Sequence, residues 1–188
     1  MTDLASTPVA SRPSAVLRWL AGTLRIHLAG AEQLTSGGAV FVMPQREAPA
    51  GLALLTRSAE RASVVRIDST GATSAAHLDA TTDALITVGV DAGEALRAAI
   101  ELARQTERTL FPLGVAVHPA IGPGSGAIPL PWGRAVMVVE TPFQAPLHPE
   151  RVPWAWVEAV ERQIRRADGR ARDILATWRR SGQAPGEG

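Results

Sequence analysis

The chain offers few side chains suited to acid–base chemistry near neutral pH. Its histidines are His27, His77, His118 and His148, and it has no cysteine, which removes a thiol nucleophile, a thiolate metal site and a disulfide from consideration and leaves the redox compartment unread. His27 falls between Ile26 and Leu28 in an alternating run, so it points away from the core as a solvated strand residue. His118 stands before Pro119 at the end of an apolar run, a setting that is commonly structural. A second group lies near the C-terminus, where Trp154, Trp156 and Trp178 are interspersed with Arg162, Arg165, Arg166, Arg170 and Arg172. Two readings stand for it. One is an interfacial face for anionic lipid, with Arg165 and Arg166 as membrane-facing cations; the other is a packing helix whose arginines are solvated and balanced by Glu158, Glu161, Asp168 and Asp173. No metal site is expected.

The elements that must position these residues follow from pattern. At 188 residues a single domain with a real core is expected, built from Ala, Val, Leu and Ile because 46% of residues are apolar and only 4% aromatic. Every basic residue is arginine, tyrosine is absent, and a net charge of +1 does not call for a nucleic-acid partner. Residues 1–14 read as a disordered N-terminus, 15–180 as one domain and 181–188 as a disordered tail. The segment from Ala15 to Gly22 reads as a short helix, too brief and too interrupted by Arg18 to span a bilayer. No signal peptide is evident, so a cytoplasmic protein is expected, resting at most on the inner face of a membrane.

Alternating or continuous apolar runs predict strands at Leu24 to Leu28, Ala39 to Met43, Val64 to Ile67, Leu85 to Val90, Leu110 to Val117 and Ala135 to Val139. Helical spacing predicts helices over Pro49 to Ala62, His77 to Ala84 and Ala92 to Thr106. In the last of these, Ala95, Leu96, Ala99, Ile100, Leu102 and Ala103 make the buried face. Residues 150–180 read as helical, with Gly169 as a break or bend, since glycine costs roughly 1 kcal/mol inside a helix. Between the last two strands, Pro119, Pro123, Gly124, Gly126, Pro129, Pro131 and Gly133 predict a loop, with Trp132 and Arg134 where the chain re-enters the sheet. The alternation of strands and helices argues for an α/β layered domain with a largely parallel or mixed sheet flanked by helices.

Five segments in order, TLRIHLAGAEQL, AVFVMPQRE, VVRIDSTGATS, ALITVGVDAGEALRAAIELARQTERTLFPLGVAV and IPLPWGRAVMVVETPF, resemble the small bacterial branch of lysophospholipid-acyltransferase-like proteins. The likeness covers roughly residues 15 to 145 and rests on order and spacing. It implies an acyltransferase-like fold that takes an acyl chain from acyl-CoA or acyl-carrier protein without a bound cofactor. The resemblance also implies a histidine after the second strand, acting as base on the acceptor hydroxyl, with a downstream acid orienting it. Here that place holds Gln45, Arg46 and Glu47, with Ala50 and Gly51 where the acid would fall. Neither glutamine nor arginine serves as a general base near neutral pH.

Two further loops are implied by the resemblance. The phosphate-binding loop after the fourth strand, which in the family carries glycine and arginine, corresponds to the stretch holding Thr87, Gly89 and Asp91, shorter and without arginine. A serine-bearing turn is kept in part as Ser69, Thr70 and Gly71. Three readings follow: an acyltransferase-like protein without acyl transfer, kept for lipid binding or regulation; a working acyltransferase whose base is His118, or Glu47 with its pKa raised by burial; or an unrelated α/β binding domain.

Overall fold

A computed structural model of the chain describes residues 15–34, 38–58, 64–67, 82–89, 92–121, 128–144 and 151–185. Six strands, β1 (Arg25–Ala29), β2 (Val40–Pro44), β3 (Val64–Ile67), β4 (Asp83–Val88), β5 (Leu110–Ile121) and β6 (Ile128–Val139), form one sheet in the order β1-β6-β5-β2-β4-β3. Helices α1 (Ala15–Thr23), α2 (Ala48–Ser58), α3 (Ala92–Gln105) and α4 (Trp154–Ser181) flank it. The sheet is mixed. β2 runs parallel to β4 and β5, and β3 parallel to β4; β6 runs against β5 and carries β1 parallel to itself.

The central strands are largely apolar because helices cover both of their faces. Phe41 and Met43 of β2 point to one layer, where α2 packs Leu52, Leu54 and Leu55. Phe41 and Phe111 meet there with ring centroids 5.7 Å apart. Val40 and Val42 point to the other layer, against Leu96, Ala99, Ile100 and Ala103 of α3 and Val157, Val160 and Ile164 of α4. All six residues of the predicted α3 face are buried, and full burial of each Leu or Ile there is worth about 1.5–3 kcal/mol. The second half of α4 lies over β5 and β6, with Ala167, Ala171, Leu175 and Trp178 against Ala116, Val136 and Val138.

Three expectations are corrected. α4 runs unbroken through Gly169 as a helix of 28 residues. Gly169 is exposed, and its cost of about 1 kcal/mol is outweighed by the apolar stripe from Val157 to Trp178 on the inner face of the helix. The proline-rich stretch is partly sheet: pairing shifts register between His118 and Ala120, at the cis His118–Pro119 peptide, then resumes with Ala120 opposite Pro129 and Ile121 opposite Ile128. Beyond Arg134 this ladder has no third strand among the described residues, and a ribbon with free edges tolerates prolines that a central strand would not. Finally, Asp83 and Ala84 open β4 rather than closing a helix, and β4 ends at Val88. Asp83 is buried and accepts a hydrogen bond from the Ala39 backbone N–H at 2.7 Å. The rest of the expected helix, including His77, lies outside the described residues.

Candidate functional site

The chain leaves β2 through α2 on one face and reaches β3 beyond β4, whereas it leaves β4 through α3 on the other face and reaches β5 beyond β2. Neighbouring parallel strands whose connections depart to opposite faces open a crevice at their carboxyl ends, the usual ligand position in open α/β sheets. Here the crevice is lined by Gln45, Arg46 and Glu47 after β2 and by Thr87 and Gly89 of the β4 end. Gln45–Glu47 is one 3-10 turn leading into α2. The Gln45 Oε1 lies 2.6 Å from where a Cβ on Gly89 would stand, so the carboxamide lies directly against that glycine. Thr87 pairs with Met43 and is buried. Ser69, Thr70, Gly71 and Asp91 lie outside the described residues.

The downstream position is filled from within the core. A Cβ on Gly51 would meet the Met43 Sδ at 2.3 Å and its Cε at 2.4 Å, so the thioether occupies the space an acidic side chain would need. At the start of α3, the indole of Trp154 lies against Gly93, 2.7 Å from a Cβ built there, with the Arg97 guanidinium over its ring at 5.5 Å.

An ion cluster flanks the crevice. The Arg46 Nε is 3.2 Å from the Glu47 Oε1, and its Nη2 is 3.4 Å from both carboxylate oxygens of Asp168 on α4; Asp168 also accepts from Arg172. The side chain of Glu47 is only 12% exposed, and among the described residues its Oε2 has no hydrogen-bond partner. Burial pushes the Glu47 carboxyl above the usual range, Arg46 pulls it down and Asp168 adds a smaller upward push. Burial likewise raises Asp168 against the pull of Arg46. Asp168 entered the sequence reading only as a balancing charge; a contact spanning 122 residues leaves no local signal.

A carboxyl whose folded pKa is raised contributes stability that is present below its unfolded pKa and lost as pH rises through the folded value. Glu47 therefore opposes folding at neutral pH. Glu47→Gln is expected to raise the thermal midpoint at pH 7 and to leave it nearly unchanged in acid below the ordinary glutamate range. A midpoint at pH 7 that falls instead would show the Arg46 pairing to outweigh burial.

The alternative base sits elsewhere. His118 is half-buried and its pKa is lowered by burial and by the cationic neighbours Arg179 and Arg134. That direction favours the neutral imidazole, but the charges acting on it are guanidinium groups rather than an orienting carboxylate. Arg165 and Arg166 are exposed on α4, and Arg165 pairs with Glu161. Of the three tryptophans expected beside them, Trp178 is buried, Trp156 packs edge-on against Phe143 at 5.9 Å, and Trp154 is exposed. A groove of about 440 Å³ runs along the end of α4, lined by Asp173, Ile174, Thr177, Trp178, Ser181 and Gln183; its single ionisable side chain makes it a poorer place for chemistry than the crevice.

Among the described residues, no group of three or more metal-ligating side chains converges and no helix is long and apolar enough to cross a membrane. Comparison of the chain with protein-family models, with curated proteins and with solved structures finds no match.

Proposed function

We propose that this is an acyltransferase-like protein that has lost acyl transfer and serves as a lipid-binding or regulatory component at the inner face of a membrane. The observation that carries this reading is the ion cluster at the place after β2, where Arg46 lies between Glu47 and Asp168. A base there would have to take a proton from an acceptor hydroxyl; Gln45 and Arg46 are unsuited to that near neutral pH, and Glu47 is paired through its Oε1 with Arg46. Met43 against Gly51 and Gln45 against Gly89 support the same reading, because they occupy the positions where the resemblance implies an acid and an open phosphate loop.

A second reading is kept by one observation, the buried and unpartnered Oε2 of Glu47. A carboxylate with raised pKa is suited to general-base work, so this reading makes the protein an acyltransferase with Glu47, or less directly His118, as base. Mass spectrometry of mixed acyl-CoA and acyl-carrier-protein donors with lysophosphatidic acid and other lysolipids separates the two. No product above a heat-killed control, with the folded protein binding lipid vesicles, is the expected result. Turnover that Glu47→Gln or His118→Ala lowers about 100-fold or more would establish the enzyme instead.

A further inference from the structure

The β5–β6 ribbon projects past the carboxyl edge of the sheet. β1 pairs with β6 only from Arg134 to Val138, so Ile128 to Gly133 have β5 alone as partner among the described residues. On this projection Ile121 and Ile128 face each other across the ladder at 61% and 46% exposure, and Trp132 is 78% exposed. Trp132 also holds a left-handed backbone, φ 56°, a conformation that a bulky residue adopts only at a cost. An indole kept in that conformation yet given almost no internal contact is not explained by packing.

α1 ends at the same edge. Thr23 stands two residues before Arg25, which pairs with Arg134, and the helix exposes Val16 and Trp19. Chain geometry keeps Trp19 within about 25 Å of Trp132. The charge of the two segments that form this surface has one sign. From Ala15 to Ala31 and from Thr109 to Val139 the sequence has no Asp or Glu, while Arg18 and Arg25 are exposed and Arg134 is half-buried. α4 brings exposed Arg179 close enough to act on His118. The first acid after β1, Glu32, follows the far end of that strand.

We infer that the β5–β6 ribbon and α1 together dock on the surface of an anionic phospholipid bilayer, with Trp132, Ile121, Ile128 and Trp19 entering the interface and the arginines facing the headgroups. Tryptophan and aliphatic side chains flanked by arginine suit the boundary between headgroup and acyl chain, and an anionic surface complements two segments without carboxylates. A projection with no groove of its own suits a deformable surface. A second copy fits less well, because a two-fold contact would set arginine against arginine. This inference rests on the lipid-binding reading and assigns its surface, moving it away from Arg165 and Arg166.

The test is co-sedimentation of the full-length protein with phosphatidylcholine vesicles, with and without phosphatidylglycerol. Trp132→Gly is the informative variant, since glycine relieves the left-handed position and the fold should keep or gain stability. Binding to the anionic vesicles is expected, weakened about tenfold or more by Trp132→Gly and by the Ile121→Ser/Ile128→Ser pair, and unchanged by Arg165→Ala/Arg166→Ala. Folded ribbon variants that bind as well as the unaltered protein would overturn the assigned surface and leave lipid binding standing. Loss only on replacing Arg165 and Arg166 would move the surface to α4. An unaltered protein that binds neither vesicle would defeat both proposals, and self-association abolished by Trp132→Gly would then identify a second copy as the occupant.

Discussion

Gly114→Ala is expected to destabilise the protein by about 1–3 kcal/mol or more, the cost of forcing a methylene-sized group into a packed interior, and to separate Asp168 from Arg46. The added Cβ would lie 2.1 Å from the carbonyl carbon of Ala167, 2.2 Å from its oxygen and 2.4 Å from the amide nitrogen of Asp168. These are backbone atoms of α4, so no side chain can rotate aside and the helix itself has to lift. Lifting it opens the layer formed by Ala167 and Ala171 over Ala116 and Val136, and it draws Asp168 away from a guanidinium contact already at 3.4 Å. Urea denaturation reads the first effect, and loss of the Arg46 pairing appears as a change in the Asp168 titration by NMR. Gly169→Ala is the contrast on the same helix. Nothing lies within 4 Å of its Cβ position, so it should stabilise by roughly 1 kcal/mol. A Gly114 variant as stable as Gly169→Ala would mean that α4 does not sit on β5 as closely as described.

The two glycines show where sequence reading works and where it stops. Local propensity marks Gly169 as a helix breaker, yet the stripe Val157, Val160, Ile164, Ala167, Ala171, Leu175 and Trp178 anchors the helix on both sides of it, and tertiary burial decides. Gly114 carries no turn signal, and its role depends on a helix more than fifty positions away in the sequence. The elements read best were those with their own periodicity: α3, whose buried stripe matches its spacing residue for residue, and the apolar centre of β2. The ribbon was misread because proline was weighed as it would be in a central strand, whereas Pro119, Pro129 and Pro131 sit where one edge or both have no partner strand.

For the candidate site, Gln45, Arg46, Glu47, Thr87 and Gly89 could be named from sequence because β2 and β4 are short, clear and parallel, and their carboxyl ends are fixed by where the apolar runs stop. Their crevice then follows from strand order. What could not be named is what fills it. Asp168 reaches Arg46 only because α4 crosses β5 at a glycine, and Met43 reaches the space beside Gly51 only because α2 packs directly on β2. Both are contacts between layers, and layer contacts depend on side-chain size at facing positions rather than on any repeat within one segment. The same holds for His118: its strand was legible, but its two arginine neighbours come from β6 and from the end of α4.

Trp178→Ala is expected to cost about 3–5 kcal/mol, the range for truncating a buried large aromatic, and to release the second half of α4 before the first. Trp178 is 3% exposed, and the Arg134 guanidinium lies over its ring at 5.5 Å. Its carbonyl oxygen accepts from the Arg134 Nη1 at 2.8 Å and from the Gly182 N–H that closes the helix at 3.1 Å. One residue thus fills the end of the β5–β6 layer, caps α4 and holds the arginine at the base of the ribbon. The first half of α4 is fixed separately, by Val157, Val160 and Ile164 against α3. Hydrogen exchange on the variant should therefore lose protection from Ala171 onward while keeping it near Val160. Trp178→Leu, which keeps apolar volume but not the aromatic face, should fall between the variant and the unaltered protein. Because Gly114→Ala loosens the same half of the helix, the double variant should be destabilised by less than the sum of the two. Uniform loss of protection along α4 would mean that the helix docks as one unit, whereas full additivity would mean that Asp168 is held at Arg46 independently of Trp178.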